Sequence, residues 1–86
     1  MPWTPAFTPT FVRDYRELGE QNRIRVDAAI KDILGAEDPR RLGEPKLGKW
    51  KGACGYEIGR GLRVLYAVDF RASLVVFLRC GSHKIY

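Results

Sequence analysis

The chain has 86 residues, 45% of them hydrophobic and 29% charged, and a formal charge of +5; these are the values of one ordinary folded domain, residues 1–86, with a single modest core. No apolar run approaches the roughly 18 to 20 residues that a membrane span needs, and the opening MPWTPAF has neither the basic region nor the apolar core of a signal peptide, so a cytoplasmic protein with no membrane partner is expected. Two cysteines and one histidine fall short of a disulfide scaffold or a tetrahedral zinc set, which leaves Cys54 and Cys80 as buried free thiols and implies no metal site.

Residues 3–7 alternate apolar with polar side chains as a short strand does, and Pro5, which cannot donate to a ladder, places that strand at a sheet edge. Thr8 and Pro9 read as a helix start, a hydroxyl for the cap and a ring whose missing N–H costs nothing in the first turn. Phe11, Tyr15 and Leu18 then form one apolar stripe with Arg13, Asp14, Arg16 and Glu17 outside it, and Gly19 ends the helix. A second helix is predicted over about residues 21–34, with Ile24, Val26, Ala29, Ile30 and Ile33 buried and Gly35 just past its end. The short link makes the two an antiparallel pair whose charges belong to solvated faces. Residues 35–45, GAEDPRRLGEP, read as a loop.

Beyond the loop the hydrophobic period changes from that of a helix to that of a strand. Strands are predicted at about 46–50, 54–59, 62–69 and 73–80, joined by turns too short for anything but antiparallel neighbours. The fold class is therefore α+β, with two N-terminal helices on one face of a small, mainly antiparallel sheet in the order β-α-α-β-β-β. Alternation assigns Cys54, Tyr56, Ile58, Val64, Tyr66, Val68, Leu74, Val76 and Leu78 to the helix-covered face. The opposite face takes Glu57, Arg63, Leu65, Ala67, Val75, Phe77 and Arg79 and is expected to be open.

Charge divides the same way. Residues 1–44 hold seven basic and eight acidic side chains, whereas residues 45–86 hold eight basic and two acidic ones, so the strand-rich half carries +6. A one-sided basic surface suits a polyanion, because each neutralised phosphate releases condensed counterions. Lys46, Lys49 and Lys51 alternate along the first sheet strand with Trp50 among them, which reads either as a phosphate-gripping row with a stacking aromatic or as a charged edge that discourages aggregation. Arg60 and Lys84 add to the basic surface. Glu57, Arg63 and Arg79 share one face, and the two guanidinium groups suit phosphate oxygens or a structural pairing with Glu57 or Asp69. His83, in GSHK, is an imidazole in a loop, able to move a proton near neutral pH.

The KLGKWKG entry to the sheet, the LRVLYAVD strand and the closing RCGSHKIY resemble the RelE/ParE superfamily of toxins, and the ending is most similar to its YafQ-like branch. The resemblance implies a ribosome-dependent mRNA endoribonuclease, working without a metal or other cofactor and held in check by a cognate antitoxin. Its partners are then that antitoxin, the ribosome and mRNA. The resemblance matches His83 to a proton-transferring histidine, Arg79 and Arg63 to arginines that stabilise the transition state, and Tyr86 to a terminal aromatic that stacks on a base or assists proton transfer. Glu57 stands where relatives carry lysine or histidine, and it is either the general base or the group that orients an arginine. Two other readings stay open on the same fold. One is a ParE-like toxin that binds a topoisomerase, which the GSHKIY ending disfavours; the other is a degenerate toxin that only binds its antitoxin.

Overall fold

The structure, a computed structural model, describes residues 3–82 and Ile85. Strand β1 (Thr4–Phe7) leads into helices α1 (Pro9–Glu17) and α2 (Glu20–Gly35), and strands β2 (Glu44–Pro45), β3 (Ala53–Gly59), β4 (Leu62–Asp69) and β5 (Leu74–Gly81) follow. The sheet order is β1-β5-β4-β3-β2, with β1 parallel to β5 and the other pairs antiparallel. Pro5 thus lies on an outer strand, where its missing donor costs no ladder bond. The α+β architecture is the one expected, with both helices on one face.

Thr8 couples the edge strand to the first helix. Its Oγ1 accepts from the Phe11 N–H at 3.0 Å, capping α1, and donates to the Leu78 carbonyl at 2.9 Å. That carbonyl belongs to a bulge: Leu65 pairs with Arg79 and Tyr66 with Phe77, so Leu78 is the extra residue of β5. Thr8→Ala removes both bonds and should lower unfolding free energy by about 1–2 kcal/mol. Urea denaturation reads this directly, and a loss below about 0.3 kcal/mol would contradict the double role assigned to the hydroxyl.

The core lies between sheet and helices. Phe11 from α1 and Val26, Ala29 and Ile33 from α2 pack on Cys54, Val64, Tyr66, Val75, Phe77 and Cys80, each large apolar side chain contributing about 1.5–3 kcal/mol by leaving water. Ile24, expected inside, is 61% exposed. Along β5 the expected alternation is inverted: Val75 and Phe77 are fully buried in this core, while Leu78 packs on the other face. The segment LVVFL is apolar at every position, so alternation cannot choose its face, and the bulge at Leu78 shifts the phase before Cys80 turns inward again.

The outer face is not open. Ala53, Leu65 and Ile85 form a second buried cluster there, with Trp50 and Leu78 packed against it. The strand expected over 46–50 is replaced by β2 at Glu44–Pro45 and a 3-10 turn at Gly48–Trp50. Gly48 sits at φ 69 and Gly52 at φ 93, conformations that break strand continuity at little cost only for glycine. The turn lifts the chain out of the ladder and folds Trp50 over the sheet.

Cys54 and Cys80 are buried free thiols, as expected. Burial pushes the Cys80 thiol from 9.0 up to about 12 and raises the Tyr66 phenol as well. The folded state therefore favours the neutral thiol, so its contribution is intact below pH 9.0 and is lost as the pH climbs toward about 12. The urea midpoint should fall across that window, and Cys80→Ala should flatten the fall; an unchanged alkaline slope in the variant would contradict the assignment.

Candidate active site

Register brings two of the candidate residues, Glu57 and Arg63, together. Glu57 on β3 faces Arg63 on β4, and Arg63 in turn faces Gly81 at the end of β5. Arg63 Nε donates to Glu57 Oε2 at 2.7 Å, with the arginine side chain 24% exposed and the glutamate 56%. An ion pair this exposed stabilises the fold by about 0–1 kcal/mol, so its main consequence is to hold the planar guanidinium in one orientation at the rim of the sheet. The row Glu57, Arg63, Gly81 lies at the end from which the chain leaves β5 toward GSHKIY. His83, Lys84 and Tyr86 lie outside the described residues.

Arg79 pairs in register with Leu65, two residues before Gly81 on β5, but its guanidinium is turned to α1. Nε and Nη2 donate to the two carboxylate oxygens of Asp14, both at 3.0 Å, and Nη1 reaches the Ile85 carbonyl at 3.5 Å. Asp14 is only 8% exposed. Its Oδ2 also accepts the Cys80 N–H at 3.3 Å, on the part of β5 that runs past the last β1 pairing at Phe77. The carboxylate thus closes the stretch of β5 edge that β1 does not reach, and its hydrogen bonds hold the Arg79 guanidinium above its ordinary value. The sequence leaves Arg79 either to phosphate or to a structural pairing with Glu57 or Asp69, and the pairing found is with neither of these acids. Asp69 instead accepts the Arg71 and Ala72 N–H groups in the β4–β5 turn.

Asp14 is therefore not one of the solvated charges that the helix pattern implies. A signal for its burial exists in the sequence: it lies three residues after Phe11 and four before Leu18, on the inward flank of the α1 stripe.

The basic row of the first strand is redistributed. Lys46 is half-buried and donates its backbone N–H to the Ala53 carbonyl at 3.0 Å. Lys49 and Lys51 are exposed around the 3-10 turn, with Lys49 Nζ 5.6 Å from the Trp50 ring centroid. Trp50 packs on the outer cluster, so it serves first as a cover for Leu65 and Ala53. Arg60 is exposed in the β3–β4 turn. Among the described residues no group of acidic, histidine and cysteine side chains is arranged to hold a metal ion, and no helix is long and apolar enough to cross a membrane.

The fold is that of the RelE/ParE toxins, in line with the sequence resemblance. The chain is similar to a chain of the toxin–antitoxin complex RelBE2 from Mycobacterium tuberculosis, at 29% identity over 96% of this chain and 100% of that one, with a TM-score of 0.72. A free mutant form of Escherichia coli toxin RelE matches at 21% identity over 99% of this chain and 87% of that one, with a TM-score of 0.77. A YoeB/ParE toxin from Agrobacterium tumefaciens matches at 20% identity over 93% and 98%, with a TM-score of 0.78. No protein-family model and no curated protein matches the sequence.

Proposed function

We propose that this protein is the toxin of a type II toxin–antitoxin pair and cuts mRNA on the ribosome. The observation that carries the reading is the row Glu57, Arg63, Gly81 across three strands of a RelE-like sheet, which sets an oriented guanidinium beside the exit to His83. The chemistry needed is attack of a 2′-OH on the adjacent phosphate. A base must take the hydroxyl proton, the added negative charge on phosphorus must be met by fixed donors, and an acid must protonate the departing 5′-oxygen. Arg63, held by Glu57, supplies donors for the phosphoryl oxygens, and His83 moves a proton. Glu57, bonded to Arg63 at 2.7 Å, fits the orienting role better than that of the base. Tyr86 contributes base stacking or proton transfer, and Lys46, Lys49, Lys51 and Lys84 attract the strand. The upstream product carries a 2′,3′-cyclic phosphate or its 3′-phosphate hydrolysis product, and the downstream product a 5′-hydroxyl. An antitoxin chain is the natural partner, since the RelBE2 relative was solved as a toxin–antitoxin complex.

Cell-free translation followed by primer extension tests the reading. New mRNA 5′ ends are expected with the wild-type protein, and Arg63→Ala and His83→Ala should each cut the rate by roughly 10²-fold or more, as losing a transition-state donor or a proton-transfer group does. No new ends, together with inhibition of a purified topoisomerase that His83→Ala retains, would assign the toxin to the ParE-like mode.

A further inference from the structure

A cleft of about 240 Å³ opens where the first turns of α2 meet the β3–β4 turn. Asn22, Arg25, Arg60 and Ser82 form its polar wall over Leu18 and Leu62, and no acidic side chain among the described residues lines it. Arg25 is fixed in place: Nη2 donates to the Gly59 carbonyl at 2.7 Å and Nη1 to Asn22 Oδ1 at 3.1 Å. A guanidinium carries five N–H donors, so this anchoring leaves Arg25 with capacity toward the cleft. Arg60 is held differently, in the left-handed region at φ 53 between Gly59 and Gly61, a conformation that costs a non-glycine residue about 1 kcal/mol or more. Its guanidinium has no ion-pair partner among the described residues.

Two like charges on one small cleft, with no carboxylate between them, repel each other until an anion arrives. The fork of a guanidinium matches phosphate oxygens, and an amide and a hydroxyl add neutral hydrogen-bonding groups. Ser82 is also the first residue after β5, one pairing position beyond the Arg63–Gly81 pair. The cleft therefore adjoins the candidate active site at the end of β5.

We infer that this cleft is a phosphate subsite, in which Arg25 and Arg60 hold a backbone phosphate of the RNA strand next to the one being cut. The assignment rests on the ribonuclease reading for its ligand, and on the cleft alone for its chemistry. Such a subsite would fix the strand's register relative to Arg63.

The test measures binding apart from cleavage. A fluorescent 2′-O-methyl RNA oligomer, which lacks the attacking hydroxyl, is titrated by anisotropy with wild type, Arg60→Ala and Arg60→Glu at salt concentrations from about 50 to 200 mM. Each phosphate that the protein neutralises on a single strand adds about 0.7 to the log–log slope of affinity against salt. Arg60→Ala should reduce the slope by roughly that amount, and Arg60→Glu should weaken binding about tenfold or more at low salt. Thermal unfolding of each variant confirms the fold. Inorganic phosphate is titrated in parallel by NMR, following the Arg25 and Arg60 side-chain Nε–H signals. RNA affinity and slope unchanged in Arg60→Glu would overturn the subsite, and so would phosphate-induced shifts at Arg25 and Arg60 without any Arg60 effect on RNA, which would mark a site for free phosphate. Failure of the wild type to bind either probe would overturn it too. Arg60-dependent binding by a protein that cuts no mRNA would keep the subsite and remove the nuclease; cleavage with Arg60-independent binding would do the reverse.

Discussion

Arg79→Ala is expected to lower the unfolding free energy by about 2–3 kcal/mol. Removing one partner of a buried ion pair costs about 3–5 kcal/mol, because the remaining charge stays in the interior uncompensated. Here Asp14 is 8% exposed but the Arg79 side chain is 30% exposed, so water reaches part of the pair and the loss falls below that of a fully buried one. Among the described residues the Asp14 carboxylate would keep only the Cys80 N–H. Replacing both members, as Asp14→Leu with Arg79→Met, removes the stranded charge and should recover most of the loss. A double-mutant cycle in urea measures the coupling, and a single Arg79→Ala loss under about 0.5 kcal/mol would contradict the assignment. The double variant also separates two roles of Arg79. If the arginine only ties α1 to the Ile85 carbonyl, the stable double variant keeps RNA cleavage near the wild-type level; if it also meets phosphate, that variant is stable and inactive.

Gly43→Ala should be as damaging, through packing alone. A Cβ at Gly43 would stand 2.7 Å from Tyr66 Oη, 2.9 Å from Cys54 Cβ and 3.2 Å from the Gly55 carbonyl. None of these can yield easily. The Tyr66 ring is fully buried and its hydroxyl donates to the Pro39 carbonyl at 2.6 Å, while Gly55 pairs with Glu44 in the β2–β3 ladder. Overpacking of this kind costs about 1–3 kcal/mol, and losing the Tyr66 bond would leave a buried carbonyl unsatisfied for about 1–3 kcal/mol more. A fall in Tm of roughly 10 °C or more follows for a chain of this size. Gly35→Ala, where a Cβ meets nothing within 4 Å, is the control and should change Tm by no more than a few degrees.

The local elements were legible because their signals are local. The Thr8-Pro9 helix start, the two helices, the 62–69 strand and the glycine-bearing turn before it depend on side chains a few residues apart, and each lies where expected within a residue or two. The pairing of Glu57 with Arg63 was legible in part: alternation gives a shared face, and only the register, Glu57 opposite Arg63, makes it a contact. The first basic strand was not legible, since KLGKW alternates like a strand while Gly48 and Gly52 favour a turn, and the decision came from Trp50 gaining burial against Leu65 and Ala53.

By itself, the sequence determined the order of helices and strands and the excess of positive charge in residues 45–86, both of which follow from residue type and short spacing. Only the tertiary structure decided which face of β5 is buried, that Asp14 rather than Glu57 holds Arg79 across 65 positions of chain, and that Arg25 and Arg60 share one cleft. Each of these depends on register and on a bulge, and a one-residue slip in a strand reverses every side chain without altering its local signal.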